Sequence, residues 1–206
     1  MSASTPLIIG ITGHRNLHED AVEAVTAEIH LFFQEVLKVY DPQGVVLQTP
    51  LAEGADRLAA KVAESYGISI KIPLPFAIDI YINDFKTKQS KQSFYYFVER
   101  SDSVFIPNIH HYQIKNKLDG YKMVGSYIAQ TSHILLALWD CNKQLEKPGG
   151  TAQILRFQFE GFEAPLMLSS SLENRKTYLI YTPRNDDFQI NPIKGRYIDQ
   201  KTYQSI

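Results

Sequence analysis

The stretch Leu7-Ile8-Ile9-Gly10-Ile11-Thr12-Gly13-His14-Arg15 decides the reading of this chain. Its apolar part, 7–11, is continuous rather than alternating, the pattern of a strand buried on both faces of a parallel sheet. Glycines punctuate its end, and a long amphipathic pattern follows, with Ala21, Val25, Ile29, Phe32, Phe33, Val36, Leu37 and Tyr40 at three-to-four spacing. The unit is therefore strand, glycine turn, helix. Such a turn lets backbone N–H groups approach an anion, and the helix start adds a positive dipole. Thr12 offers a hydroxyl and Arg15 a bidentate fork suited to phosphate. A tight turn with Arg15 paired to a surface carboxylate accounts for the same residues without a ligand.

Outward from this unit, five more apolar runs read as strands, at 45–49, 68–72, 103–107, 133–139 and 178–182. Helical patterns lie between them. Leu58, Ala59, Val62, Ala63 and Tyr66 form one, stopped by Gly67; another spans about 119–131, and a third follows Gly150 through Ile154, Leu155 and Phe159. This alternation predicts an α/β fold, Rossmann-like and doubly wound, with a mainly parallel sheet of about six strands flanked by helices. Ligands in that architecture sit at the carboxyl ends of strands. The segment 86–116 is the least regular and reads as a lid or an extra helix pair.

The composition fits an ordinary globular domain: 206 residues, 44% hydrophobic and 21% charged. Collagen-like, low-complexity and wholly disordered classes are excluded. Lys and Arg number 21 against 22 Asp and Glu, a net charge of −1, so nucleic acid is not the expected partner. The single cysteine, Cys141, excludes an intramolecular disulfide and points to a reducing, cytoplasmic setting. Residues 1–6 carry no signal-peptide pattern, and no apolar run approaches the roughly 18–20 residues of a membrane span.

Two further loops follow strands and precede helices. In Leu51-Ala52-Glu53-Gly54-Ala55-Asp56-Arg57, Gly54 permits close backbone approach and Glu53 stands where a carboxylate could take ribose hydroxyls. Asp56 and Arg57 read as a helix cap and a surface residue. In the second, Trp139-Asp140 leads to Lys147-Pro148-Gly149-Gly150-Thr151-Ala152-Gln153, whose glycines and Thr151 would present amides and a hydroxyl to a phosphate, or simply form a turn with Thr151 as cap. Parallel strands would bring all three loops to one edge. His110 and His111 read as loop histidines rather than metal ligands, Cys141 as a bystander thiol, and Lys86, Lys88 and Lys91 as a solvated face. Tyr121, Gly125 and Tyr127 suggest a helix packed closely on the sheet, with an aromatic able to stack on a base.

Together, 10–15, 51–59, 121–140 and 149–153 resemble the SLOG superfamily of Rossmann-like domains, named for the Smf/DprA and Lonely Guy proteins. The resemblance covers about 6–162 plus the strand near 178–183, and is strongest to a bacterial branch with ITGHR, AEGADRLAA, ALWD and GGTA signatures. It implies a nucleotide-binding domain at 1–184, with 185–206 as a polar C-terminal tail or linker. It also implies sensing of a nucleotide or nucleotide derivative, such as ADP-ribose or a cyclic nucleotide, in bacterial defence or signalling. Homo-oligomers and a fused or associated membrane or effector module are the implied partners.

The ligand-binding residues so implied are Thr12, Gly13, His14, Arg15, Glu53, Gly54, Asp140, Gly149, Gly150, Thr151 and Gln153. Lonely Guy enzymes, similar in fold, hydrolyse the N-glycosidic bond of nucleoside monophosphates with a glutamate after a Pro-Gly-Gly-x-Gly-Thr loop. Here Pro148, Gly149 and Gly150 match, but Gln153 stands where relatives carry Glu. A glutamine cannot stabilise an oxocarbenium ion by charge, so a phosphoribohydrolase would need Glu53 as its catalytic carboxylate. DprA-like binding of single-stranded DNA is the third alternative. No metal site is visible and no cofactor is assigned, although a nucleotide could bring Mg²⁺ with it.

Overall fold

The computed structural model describes residues 5–110, 112–169, 171–186 and 192–206. Seven strands form one sheet in the order β4-β3-β2-β1-β5-β6-β7. They are β1 (Leu7–Gly13), β2 (Val45–Gln48), β3 (Ser69–Pro73), β4 (Ser103–Phe105), β5 (Ile134–Trp139), β6 (Lys176–Tyr181) and β7 (Gly195–Ile198). All pairings are parallel except β6 with β7. The α/β, mainly parallel expectation holds, with one strand more than the sequence suggested.

Helices cover both faces because the buried strands carry apolar side chains in both directions. Along β5, Ile134, Leu136 and Leu138 join the core beneath α1 (Val22–Leu37) and α2 (Ala55–Ser65). Leu135, Ala137 and Trp139 join the opposite core with α5 (Lys117–Thr131) and α6 (Thr151–Glu160). The segment 86–116 is not a detached lid. Its helix α4 (Lys88–Arg100) buries Phe94 against Phe85 and against Tyr81 of the short α3 (Ile78–Tyr81), buries Phe97 in the same core, and β4 extends the sheet. No helix among the described residues is long and apolar enough to cross a membrane.

The C-terminal expectation needs correction. Of 185–206, residues 187–191 lie outside the described residues, but the remainder is not a tail. Strand β7 pairs with β6, and the Gly195 amide donates to Glu28 Oε2 at 2.7 Å. Helix α7 (Gln200–Ser205) then returns Tyr203 to stack on Phe159 (4.7 Å between ring centroids) and on Trp139 (6.4 Å). Net polarity misled the reading because edge elements bury few residues each.

Strand order reverses between β1 and β5. Chains leave β1 toward β2 on one side, while β5 and β6 extend the other, and this switch opens a crevice above the carboxyl ends of β1 and β5.

Candidate functional site

The crevice has a volume of about 480 Å³, within the roughly 300–1,000 Å³ usual for small-molecule sites. Thr12, Gly13, His14, Arg15, Gly149, Gly150 and Thr151 all line it. The loops after β1 and β5 therefore converge as the sequence implies. Glu53, Gly54, Asp140 and Gln153 do not line it.

Each of these four has a different task. Glu53 turns away from the crevice and accepts a hydrogen bond from the Ser90 hydroxyl on α4. The catalytic role offered for it thus has no geometric basis. Gly54 has φ +79°, and a Cβ there would lie 2.5 Å from the His14 carbonyl oxygen. Its glycine serves the packing of two backbones, not of backbone on ligand. The same contact lets the Ala55 amide donate to His14 O at 3.0 Å, tying α2 to the end of β1. Gln153 folds back to accept the Gly149 amide at 2.9 Å and clamps its own loop.

Asp140 stands against His14 rather than in the crevice. His14 Nε2 lies 3.1 Å from Asp140 Oδ1 and accepts the Asp140 amide at 3.0 Å. Arg184 Nε donates to Asp140 Oδ2 at 2.5 Å. Burial would raise the Asp140 carboxyl, but His14, the Asn142 amide and Arg184 outweigh it and hold it down to about 2. Asp140 is thus a charged anchor for the imidazole. Cys141, next along, has φ +65°, and burial and then Asp140 push its thiol up to about 11, which makes it a poor nucleophile.

Phosphate binding by Gly149 and Gly150 amides also needs revision. The Gly149 amide is held by Gln153 and the Gly150 amide by Lys147 O at 2.8 Å. Gly149, at φ +71°, exists for close approach: a Cβ would come 2.5 Å from that of Tyr121 and 2.8 Å from the Lys122 amide nitrogen. The uncommitted donors lie one residue further on. The first α-helical bond of α6 runs from Ile154 N to Gly150 O, leaving the amides of Thr151, Ala152 and Gln153 without acceptors among the described residues. The Thr151 and Thr12 side chains, 6% and 9% exposed, also make no hydrogen bond there. Two threonine hydroxyls with no protein partner among the described residues and an open helix N-terminus thus line the same crevice.

Cationic and aromatic groups form the mouth. Arg15 lies 5.4 Å from the Tyr121 ring centroid and, like Lys147, makes no ion pair among the described residues. The Tyr121 hydroxyl donates to Asp84, which Lys117 neutralises at 2.6 Å; burial and then Asp84 push Tyr121 up to about 12. Apolar side chains of Ile11, Val124, Ile128 and Ile154 also line the crevice.

Sequence reasoning missed three charged lining residues. Arg184 and Asp186 follow β6, where the rule applied to the other strand ends would have found them. Asp56 was read as a cap, yet it is 4% exposed and lines the crevice, its Oδ2 accepting the Ala52 amide at 3.1 Å. Arg57 is no surface residue either: it donates to Leu51 O and Ser90 O and packs 4.3 Å from the Phe85 ring centroid. Of the His110–His111 pair, His111 lies outside the described residues. No cluster of three potential metal ligands occurs among the described residues.

No family model and no curated protein matches the chain. Two solved structures are similar to it. One is DNA processing protein A (DprA) from Streptococcus pneumoniae, at 15% identity and a TM-score of 0.43, covering 64% of this chain and 41% of that one. The other is the DprA of Helicobacter pylori, described for its single-stranded DNA binding mode, at 13% identity and a TM-score of 0.49. That match covers 76% of this chain and 63% of the other, so this chain spans less than two thirds of either.

Proposed function

We propose that this domain binds a nucleotide or nucleotide derivative in the β1/β5 crevice and works as a ligand sensor. The observation that carries the reading is the convergence of Thr12 and Thr151, whose hydroxyls have no protein partner among the described residues, on the open N-terminus of α6. A phosphate there would receive two hydroxyls and the α6 amides while the helix dipole favours its charge. Arg15 and Lys147 supply positive charge at the mouth. The apolar wall and Tyr121 give the remainder of a nucleotide a surface to cover. Any Mg²⁺ would enter with the ligand's phosphates.

Sensing needs an element that responds. Helix α4 is joined to the loop after β2 by Ser90, which bonds both Glu53 and Arg57, and so offers a route from crevice to surface. Homo-oligomerisation and an effector module in bacterial defence or signalling belong to the same proposal. The Lonely Guy-type alternative lacks its carboxylate, because Glu53 is engaged by Ser90 outside the crevice.

The test is incubation of the protein with nucleoside monophosphates, NAD, ADP-ribose, cyclic nucleotides and a short single-stranded oligonucleotide, with chromatography and mass spectrometry of bound and free fractions. An intact mononucleotide-type ligand should be retained, and Arg15→Ala and Thr151→Val should each weaken it about tenfold or more. Retention of the oligonucleotide alone, release of free base, or no retention at all overturns the reading.

A further inference from the structure

We propose that Asp56 reads the sugar of the bound ligand, accepting a ribose hydroxyl and making the crevice selective for ribonucleotides over 2′-deoxyribonucleotides. This inference rests on the nucleotide reading above and adds the substrate class.

Asp56 is a buried carboxyl that the phosphate subsite does not use. It lines the crevice, yet no cation lies within ion-pair distance among the described residues. Its Oδ2 takes one amide, from Ala52, and the carboxyl also accepts the Thr49 hydroxyl. The charged and titratable neighbours come from three directions: Arg15 after β1, Arg57 on its own helix and Tyr81 on α3. Of these, Arg57 is committed elsewhere, to Leu51 and Ser90.

A carboxyl in this condition is costly unless something completes its hydrogen bonds. Burial lifts it to about 7, against the opposing pull of the Ala52 amide and Arg15. Perturbed groups of this kind concentrate where ligands bind. A sugar hydroxyl suits both protonation states, since it can donate to the carboxylate or accept from the acid.

Position supports the same assignment. Asp56 follows β2 while Thr151 follows β5, and β1 lies between those two strands. Asp56 lies in the first turn of α2 and Thr151 opens α6; both helices pack against β1, α2 through the Ala55 amide on His14 O, and both residues line the one crevice. One crevice thus offers a phosphate subsite at Thr151 and a separate carboxyl at Asp56, the two groups a sugar phosphate would engage and a bare phosphate would not.

A purely structural role for Asp56, holding the 49–52 loop through Ala52, would alter stability but not sugar preference. The experiment therefore measures a ratio. Calorimetric titration of wild type with AMP, GMP, CMP and UMP and their 2′-deoxy counterparts should show the preferred ribonucleotide bound at least about tenfold more tightly than its deoxy partner. Asp56→Ala should bring that ratio to within about twofold, with Asp56→Asn between the two. Arg15→Ala should weaken both sugars and leave the ratio intact.

Equal binding of the two sugars by wild type, or a ratio surviving in Asp56→Ala, overturns the inference while leaving the nucleotide reading standing. If neither sugar series binds wild type and the wider ligand panel is also silent, the nucleotide reading itself fails and takes the inference with it.

Discussion

Arg184, just after β6, holds Asp140, just after β5, with 2.5 Å between Nε and Oδ2. Asp140 in turn holds His14, at the end of β1. Three neighbouring strand ends are thereby linked through one carboxylate that is only 4% exposed.

The Asp140 carboxyl is lower in the folded protein (about 2) than in an unfolded chain, so its ionised form is bound preferentially by the native state. The resulting stability is fully present above about pH 4 and is lost as the pH falls through about 2; its size is of order 1–2 kcal/mol. Asp140→Asn should cost about 2–4 kcal/mol at pH 7, because Arg184 and His14 lose their anion. Urea unfolding from pH 7 to 2 should show the gap between wild type and variant narrowing at the acid end.

Asp56 has the opposite sign. Its pKa is raised to about 7, so the folded state holds a proton that the unfolded chain releases near pH 4. Its contribution falls as the pH rises from about 4 to 7 and then levels. Asp56→Asn, which carries no charge to bury, should be more stable relative to wild type at pH 8 than at pH 5, by about 1–3 kcal/mol. Thermal unfolding at the two pH values measures this.

Glu53 and Arg57 are close in sequence and unequal in consequence. Glu53→Gln keeps an acceptor for Ser90 and should leave ligand affinity within about twofold of wild type in titration. Arg57→Ala removes donors to Leu51 and Ser90 and the packing on Phe85, and should cost about 2–4 kcal/mol in chemical denaturation.

Truncation at residue 194 removes β7 and α7, baring the edge of β6 and the stacked face of Trp139. Trp139 is the only tryptophan, so its emission reports the change directly. We expect a red shift, a lower unfolding midpoint and a greater tendency to aggregate.

Much of this architecture was legible because β1, β2, β5 and β6 are largely continuous apolar runs, and β3 an alternating one, set between amphipathic helices. Strand β7 was not, since Gly195-Arg196-Tyr197-Ile198 buries only Ile198 and owes its place to β6 and to Glu28, far away in sequence. The three glycine loops were legible as places where chain approaches chain, and the crevice did form there. What spacing could not say was which partner each glycine admits. Gly54 admits the carbonyls of His14 and Arg15, and Gly149 admits α5. Similarly, Glu53 and Gln153 carry suitable chemistry at suitable positions, yet nearby donors from Ser90 and Gly149 claim them first.

The contacts at Gly54 and Gly149 have a thermodynamic consequence for recognition. With backbone seated directly on backbone, two walls of the crevice are held by main chain rather than by rotatable side chains. Little torsional freedom is left there to surrender when a guest arrives, so association should proceed without a slow opening step. Selectivity between guests then falls to the side chains set on that frame, Asp56 for the sugar and Arg15 and Lys147 for charge, and these are the positions at which relatives with the same frame could acquire different tastes.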